Sequence, residues 1–160
     1  MPADKNLFHA MPHEPLTPDS ATGRLIQRLG YAGLIPFVLF ALLMWLVTPE
    51  VHPLVAIALA GYGATIASFL GGIHWGIGLR QGATHRKLHL IWGVMPSILA
   101  WIAVIMPAYA GLPLLALLLL ACYLVDRKTW PDAGLRDWLT LRFRLTVVST
   151  LACLFGAGGT

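Results

Sequence analysis

The sequence has 160 residues, of which 58% are hydrophobic and only 11% charged, with a mean hydropathy of +0.73, a net charge of +4 and a pI near 9.4. A soluble domain carries roughly 25% charged residues, so this chain cannot cover a water-exposed particle and most of its surface must face lipid. Its basic residues flank apolar segments instead of forming a patch, which argues against a nucleic-acid partner and marks them as topology determinants and contacts for anionic lipid.

Residues 1–22 are polar and carry Pro2, Pro12, Pro15 and Pro18. They lack the apolar core of a secretory signal and read as a mobile cytoplasmic tail ahead of a membrane domain over 23–160. The stretch Gly23–Leu29 (GRLIQRL) mixes basic and apolar residues at helical spacing, as a segment lying at the membrane interface does.

Five apolar segments follow, at about 29–47, 54–79, 88–106, 108–125 and 138–155. Each is close to the roughly 20 residues that cross the hydrocarbon as a helix. The expected fold is therefore an all-α bundle of five transmembrane helices embedded in the bilayer. The links at Thr48–Pro53 and around Pro107 are short enough to make antiparallel hairpins of spans one and two and of spans three and four. With five spans, all eleven Lys and Arg residues fall on one side. The positive-inside rule then puts the N-terminus in the cytoplasm and the C-terminus outside, as in a multi-pass protein of the bacterial inner membrane.

Proline marks two of the spans. Pro36 in the first should free the Ala32 carbonyl, and Pro96 in the third the Trp92 carbonyl, kinking both helices. Kinks open room between spans, and freed carbonyls need partners such as Ser97, Tyr62 or water.

The second span carries most of the information. Ala60, Ala64, Ser68, Gly72 and Gly76 recur every four residues, a stripe that lets another helix backbone approach closely. His74 points to a different face, beside Ala67, Gly71 and Gly78. An ionisable residue at this depth is a functional-site candidate by default. His85 and His89 lie near the same membrane end, but their spacing fits no metal motif, so no metal site is expected. Trp75, Trp92 and Trp101 lie far enough in to line an apolar pocket, whereas Trp45, Trp130 and Trp138 fall where interfacial belts form.

The basic end also gathers Asp126 with Arg80, Arg142 and Arg144. The two arginines that open the fifth span should snorkel to the interface, or one of them should pair with Asp126. Candidate ligand contacts are thus His74, Trp75, Trp92, Trp101, Tyr62, Arg80, Arg142 and Arg144. Cys122 and Cys153 sit in apolar runs, where free thiols behave as small hydrophobes. No nucleophile–base pair, phosphate-binding loop, HExxH or CxxC is present, so no enzyme is expected.

The segment SFLGGIHWG (Ser68–Gly76), with Tyr62-Gly63-Ala64 before it and GYAGLIPF (Gly30–Phe37) in the first span, resembles an uncharacterised membrane family. That family occurs widely in bacteria and includes the mitochondrial transmembrane protein sixty-nine. The resemblance covers roughly residues 29–155 and implies a membrane fold without an activity. In length, span number and richness in tryptophan and proline, the chain is also similar to the tryptophan-rich sensory proteins. Those bind tetrapyrroles and other flat hydrophobic ligands, but their Trp-Pro signature is not matched here.

Two functions fit these residues. The first is a non-enzymatic protein that assembles or stabilises a membrane complex, through another membrane protein or a second copy, using the small-residue stripe. The alternative is a binding or sensory protein that holds a flat apolar molecule, such as a tetrapyrrole or quinone, between kinked spans one to three. A transporter is disfavoured, because no acid lies in the middle of a span.

Overall fold

The computed structural model describes residues 17–160, so residues 1–16 of the expected tail lie outside the described residues. The remainder of that tail is short: Ser20 caps the first helix, its hydroxyl accepting the Gly23 N–H at 3.0 Å. This satisfies one of the free donors that open any helix. The helices are α1 (Ala21–Ala32), α2 (Ile35–Leu46), α3 (His52–Leu79), α4 (Arg86–Ile105), α5 (Ala108–Thr129) and α6 (Leu139–Ala157). A single 3₁₀ turn, Arg136–Trp138, leads into α6. Among the described residues there is no strand.

Among the described residues, five helical segments are long and apolar enough to cross a membrane: Ala21–Leu46, His52–Leu79, Arg86–Ile105, Ala108–Thr129 and Arg136–Ala157. The first of them departs from a simple kinked span. It breaks at Gly33–Leu34, and Pro36 falls in the opening turn of α2, where a missing N–H costs nothing and a fixed φ suits the new helix. The break leaves a carbonyl to be satisfied within the membrane, and the Tyr62 hydroxyl donates to Gly33 O at 2.7 Å. Pro96 remains inside α4 and is buried.

The helices pack on small residues, though not on the expected stripe. Ala60 is buried and Ala64 and Ser68 are half-buried, but Gly72 and Gly76 lie open. A Cβ built on either of those glycines meets nothing within 4 Å. The reason is geometric. At 3.6 residues per turn, each step of four rotates about 40° further, so four steps carry the stripe roughly 160° around the helix. It begins on the inner face and ends outside. Residues Gly63, Ala67, Gly71, His74 and Gly78 include a step of three that cancels much of this drift, and all of them are buried.

At Gly71 the α3 and α4 backbones touch. A Cβ there would collide with the Gly93 carbonyl oxygen, and one on Gly93 would collide with the Trp75 ring. Contacts of this kind hold spans together where lipid is as apolar as leucine and burial itself gains little. Gly111 lies equally close to the Ala103 carbonyl at the α4–α5 hairpin. The core is completed by Phe37, Leu59, Leu112, Leu115, Leu119 and Cys153, each no more than 1% exposed. Leu46, Leu54, Phe69 and Trp101 stay exposed on the outside, as a lipid-facing surface requires. Cys122 and Cys153 are both buried and unbridged.

Candidate functional site

The tight α3–α4 contact determines where His74 meets its neighbours. His89 lies in the first turn of α4, one turn before Gly93, so the close approach brings the two imidazoles together. Their Nδ1 atoms are 2.8 Å apart, with ring planes 28° from parallel and centroids 5.1 Å apart. The other His74 nitrogen, Nε2, is 2.8 Å from Asp126 Oδ1 on α5. Asp126 Oδ2 accepts from Arg142 Nε on α6 at 2.7 Å. Arg142 Nη1 then donates to Thr146 Oγ1 at 2.6 Å, and that hydroxyl donates to Arg142 O. One hydrogen-bonded chain thus joins α4, α3, α5 and α6.

All four ionisable members are buried: His74 and Asp126 at 1% exposure, His89 at 3% and Arg142 at 6%. Charges this deep persist only when paired and hydrogen-bonded. The donor count is fixed by chemistry. A carboxylate only accepts, so His74 Nε2 donates to Asp126. Between the two Nδ1 atoms one must donate and the other accept, so a single proton lies there.

The chain has two outlets. At one end, His89 borders a polar crevice of about 30 Å³ shared with Arg80, Thr84 and Asp132, room for roughly one water. It lies under the α3–α4 turn, where Gly82 takes φ +72°, a conformation natural to glycine. At the other end, Arg142 lines a much larger groove of about 510 Å³ between the broken first span and helices α3, α5 and α6. Ligand sites commonly measure about 300–1,000 Å³. The break at Gly33–Leu34 forms one wall of it, Ile66, Phe69 and Ile73 another, and Leu141 and Leu145 a third. Arg142 is the one charged side chain among its described lining residues.

Two of the lining residues, Arg142 and Trp130, hold buried nitrogens, Nη2 and Nε1, that find no partner among the described residues. Such donors are rare in folded proteins and call for an explanation. Trp130 is held by the turn that closes α5: its carbonyl accepts from Ala133 N at 3.0 Å and Leu135 N at 2.9 Å.

Several expected positions shift. Arg142 does not snorkel; it turns inward to Asp126, while exposed Arg144 takes the Tyr31 hydroxyl at 3.2 Å. Trp130 and Trp138 are not belt residues but buried groove walls at 7% and 8% exposure, because the 130–138 connection folds back under the bundle. Trp75 and Trp101, 44% and 63% exposed, face outward instead of lining a pocket. Trp75 Nε1 donates to Leu90 O. Trp92 is half-buried and stands away from the groove. Arg80 reaches Ala133 O at 3.4 Å on the crevice side. Tyr62 props the broken span without lining the cavity. The groove itself lies beside α5 and α6, not among spans one to three alone. Trp130 and His89 stand outside the ligand contacts expected from the sequence; the one signal for His89 is its position three residues into α4, on the face of Gly93.

A family profile described as "Protein of unknown function (DUF3429)" matches residues 22–158. The chain is also similar to Transmembrane protein 69 of Xenopus tropicalis, 44% identical over 79 residues, covering 48% of this chain and 31% of that protein. Transmembrane protein 69 of Mus musculus is 36% identical over 76 residues, covering 46% of this chain and 31% of the relative. Less than a third of the length of either relative is thus matched. No solved structure matches.

Proposed function

The chain belongs to this family of unknown function, a multi-pass membrane family that carries no activity with it, and we propose that it is a non-enzymatic protein that binds an apolar molecule within the membrane. The observation that carries this reading is the groove itself, about 510 Å³ with almost wholly apolar walls, on which Arg142, a buried guanidinium held by Asp126, is the one charged side chain among the described lining residues. A site built of hydrophobic walls and a few fixed polar groups is the usual form of a small-molecule pocket. The non-enzymatic part is supported by His74, which spends both ring nitrogens on His89 and Asp126 and so has none to offer a substrate.

The proposed location is the bacterial cytoplasmic membrane, with the basic end inward. The ten Lys and Arg residues between 17 and 160 all belong to segments on that side, and the positive-inside rule supplies the direction. The groove would then open in the cytoplasmic leaflet.

Purification in mild detergent, followed by native mass spectrometry, tests the reading. The wild type should carry a bound apolar molecule, and Leu145→Trp, which fills the groove, should lose it while keeping its helical content. Equal occupancy of the two proteins, or an empty wild type in native membrane extracts, would overturn it. A second reading, assembly with another membrane protein or a second copy, is favoured by Gly72 and Gly76, whose outward faces touch nothing within the chain.

A further inference from the structure

We infer that the buried chain is a proton-binding site, filled from water through the crevice at His89 and holding one extra proton on His74. At rest, Arg142 already balances the charge of Asp126, so a second buried cation would lack a counter-ion and both imidazoles are neutral. Asp126 accepts from His74 Nε2, which leaves His74 Nδ1 bare, because a neutral imidazole carries one N–H. His89 Nδ1 must then be the donor across the 2.8 Å contact, and His89 Nε2 keeps a free lone pair. That nitrogen makes no hydrogen bond to the described residues, yet it is not among the unpartnered nitrogens closed off from water, which are Trp92 Nε1, Trp130 Nε1 and Arg142 Nη2. Water therefore reaches it, and the polar space that His89 lines is the crevice, rimmed by exposed Arg80, Thr84 and Asp132.

Uptake is a relay of two transfers. A hydronium in the crevice gives its proton to His89 Nε2 and leaves as water; His89 then passes its Nδ1 proton to His74 Nδ1. Two N–H bonds form and one breaks, a net gain of one proton. His89 ends neutral with its proton on Nε2, and His74 ends as an imidazolium donating both to His89 and to Asp126. No hydrogen bond of the chain is lost; the one between the rings reverses. The positive charge comes to rest 2.8 Å from the carboxylate, closer than it would lie on His89. A further step to Asp126 would strand Arg142 without its counter-ion, which is costly in a buried site. The other ionisable groups around the pair are Arg80 and Asp132 at the crevice, His85 at the N-cap of α4 and Cys122, one turn before Asp126 on α5. Exposed Arg86, Lys87, Arg127 and Lys128 stand at the same end of the bundle. Uptake needs no ligand in the groove.

Nitrogen-15 spectra of the histidine-labelled whole chain in nanodiscs, followed from about pH 8 to 5, test this. His89 should exchange its Nδ1 proton for one on Nε2, while His74, in the same transition, becomes protonated on both nitrogens. A transition in which His89 becomes doubly protonated and His74 keeps a bare Nδ1 overturns the assignment of the charge to His74. No change at either ring before the protein unfolds overturns uptake altogether. His89→Gln keeps an N–H donor for His74 but cannot relay a proton. Exchange of the His74 protons with water should slow about tenfold or more in that variant; an unchanged rate would show that protons do not enter through His89. If His89→Gln does not fold, the titration of the wild type decides alone.

Discussion

His74 and Asp126 stand 52 residues apart in the chain and share a 2.8 Å hydrogen bond in the interior of the bundle. That bond is the middle link of a buried chain whose two ends open on very different surroundings, a water-sized polar crevice at His89 and an apolar groove at Arg142. The same links that tie four helices together therefore also fix the guanidinium at the groove wall.

The first prediction concerns that anchoring. Asp126→Ala strands Arg142 as a buried charge without its counter-ion and should cost about 3–5 kcal/mol of stability. Asp126→Leu combined with Arg142→Met replaces the pair by apolar groups and should recover most of that loss. His74 Nε2 would still lack an acceptor, so recovery should be incomplete. Thermal unfolding in detergent, arranged as a double-mutant cycle, measures both. A double variant no more stable than Asp126→Ala would show that the pair is not the unit of stability.

The imidazole pair gives a spectroscopic prediction. With one proton between the two Nδ1 atoms, nitrogen-15 spectra of histidine-labelled protein should show one protonated and one unprotonated Nδ1 in this pair, coupled across the hydrogen bond. Two protonated Nδ1 atoms would contradict the contact as described.

Packing is tested by neighbouring glycines. Gly71→Ala drives a methyl group into the Gly93 carbonyl and should destabilise the protein by about 1–3 kcal/mol. Gly72→Ala points into open space and should change stability by less than about 0.5 kcal/mol. Equal effects would mean that α3 and α4 meet on a different face.

This contrast also shows what the sequence made legible. The five spans could be read from apolar run length, because a hydrocarbon slab imposes one length on every helix that crosses it, but not all of their ends: the first helical segment begins at Ala21, ahead of the apolar run that starts near Leu29. The face of His74 was legible for a similar reason, since rotation per residue is fixed. Within the chain, only the first part of the small-residue stripe is a contact face, because four-residue steps drift around a helix over several turns and carry Gly72 and Gly76 outward. An Asp126 pair with Arg142 or Arg144 was in view. Which arginine turned inward was decided by the connection beneath the bundle, and apolar run length says nothing about how that connection folds. Trp130 and Trp138 were lost to the same cause: both sit at interfacial positions in the chain, and only the turn through Ala133 and Leu135 tucks them inside.

Orientation carries a prediction of its own. A reporter active only outside the cytoplasm should give signal when fused after Thr160 and none when inserted between Arg80 and Arg86, since the basic residues cluster at the latter end. Matching signals at the two positions would contradict an odd number of crossings.

The central claim is that the groove beside Arg142 holds a molecule. An experimental map of the protein in a native-lipid nanodisc tests it most directly. The account predicts elongated density between the break at Gly33–Leu34 and helix α6. A groove without density, or one closed by movement of α2 onto α6, would contradict it.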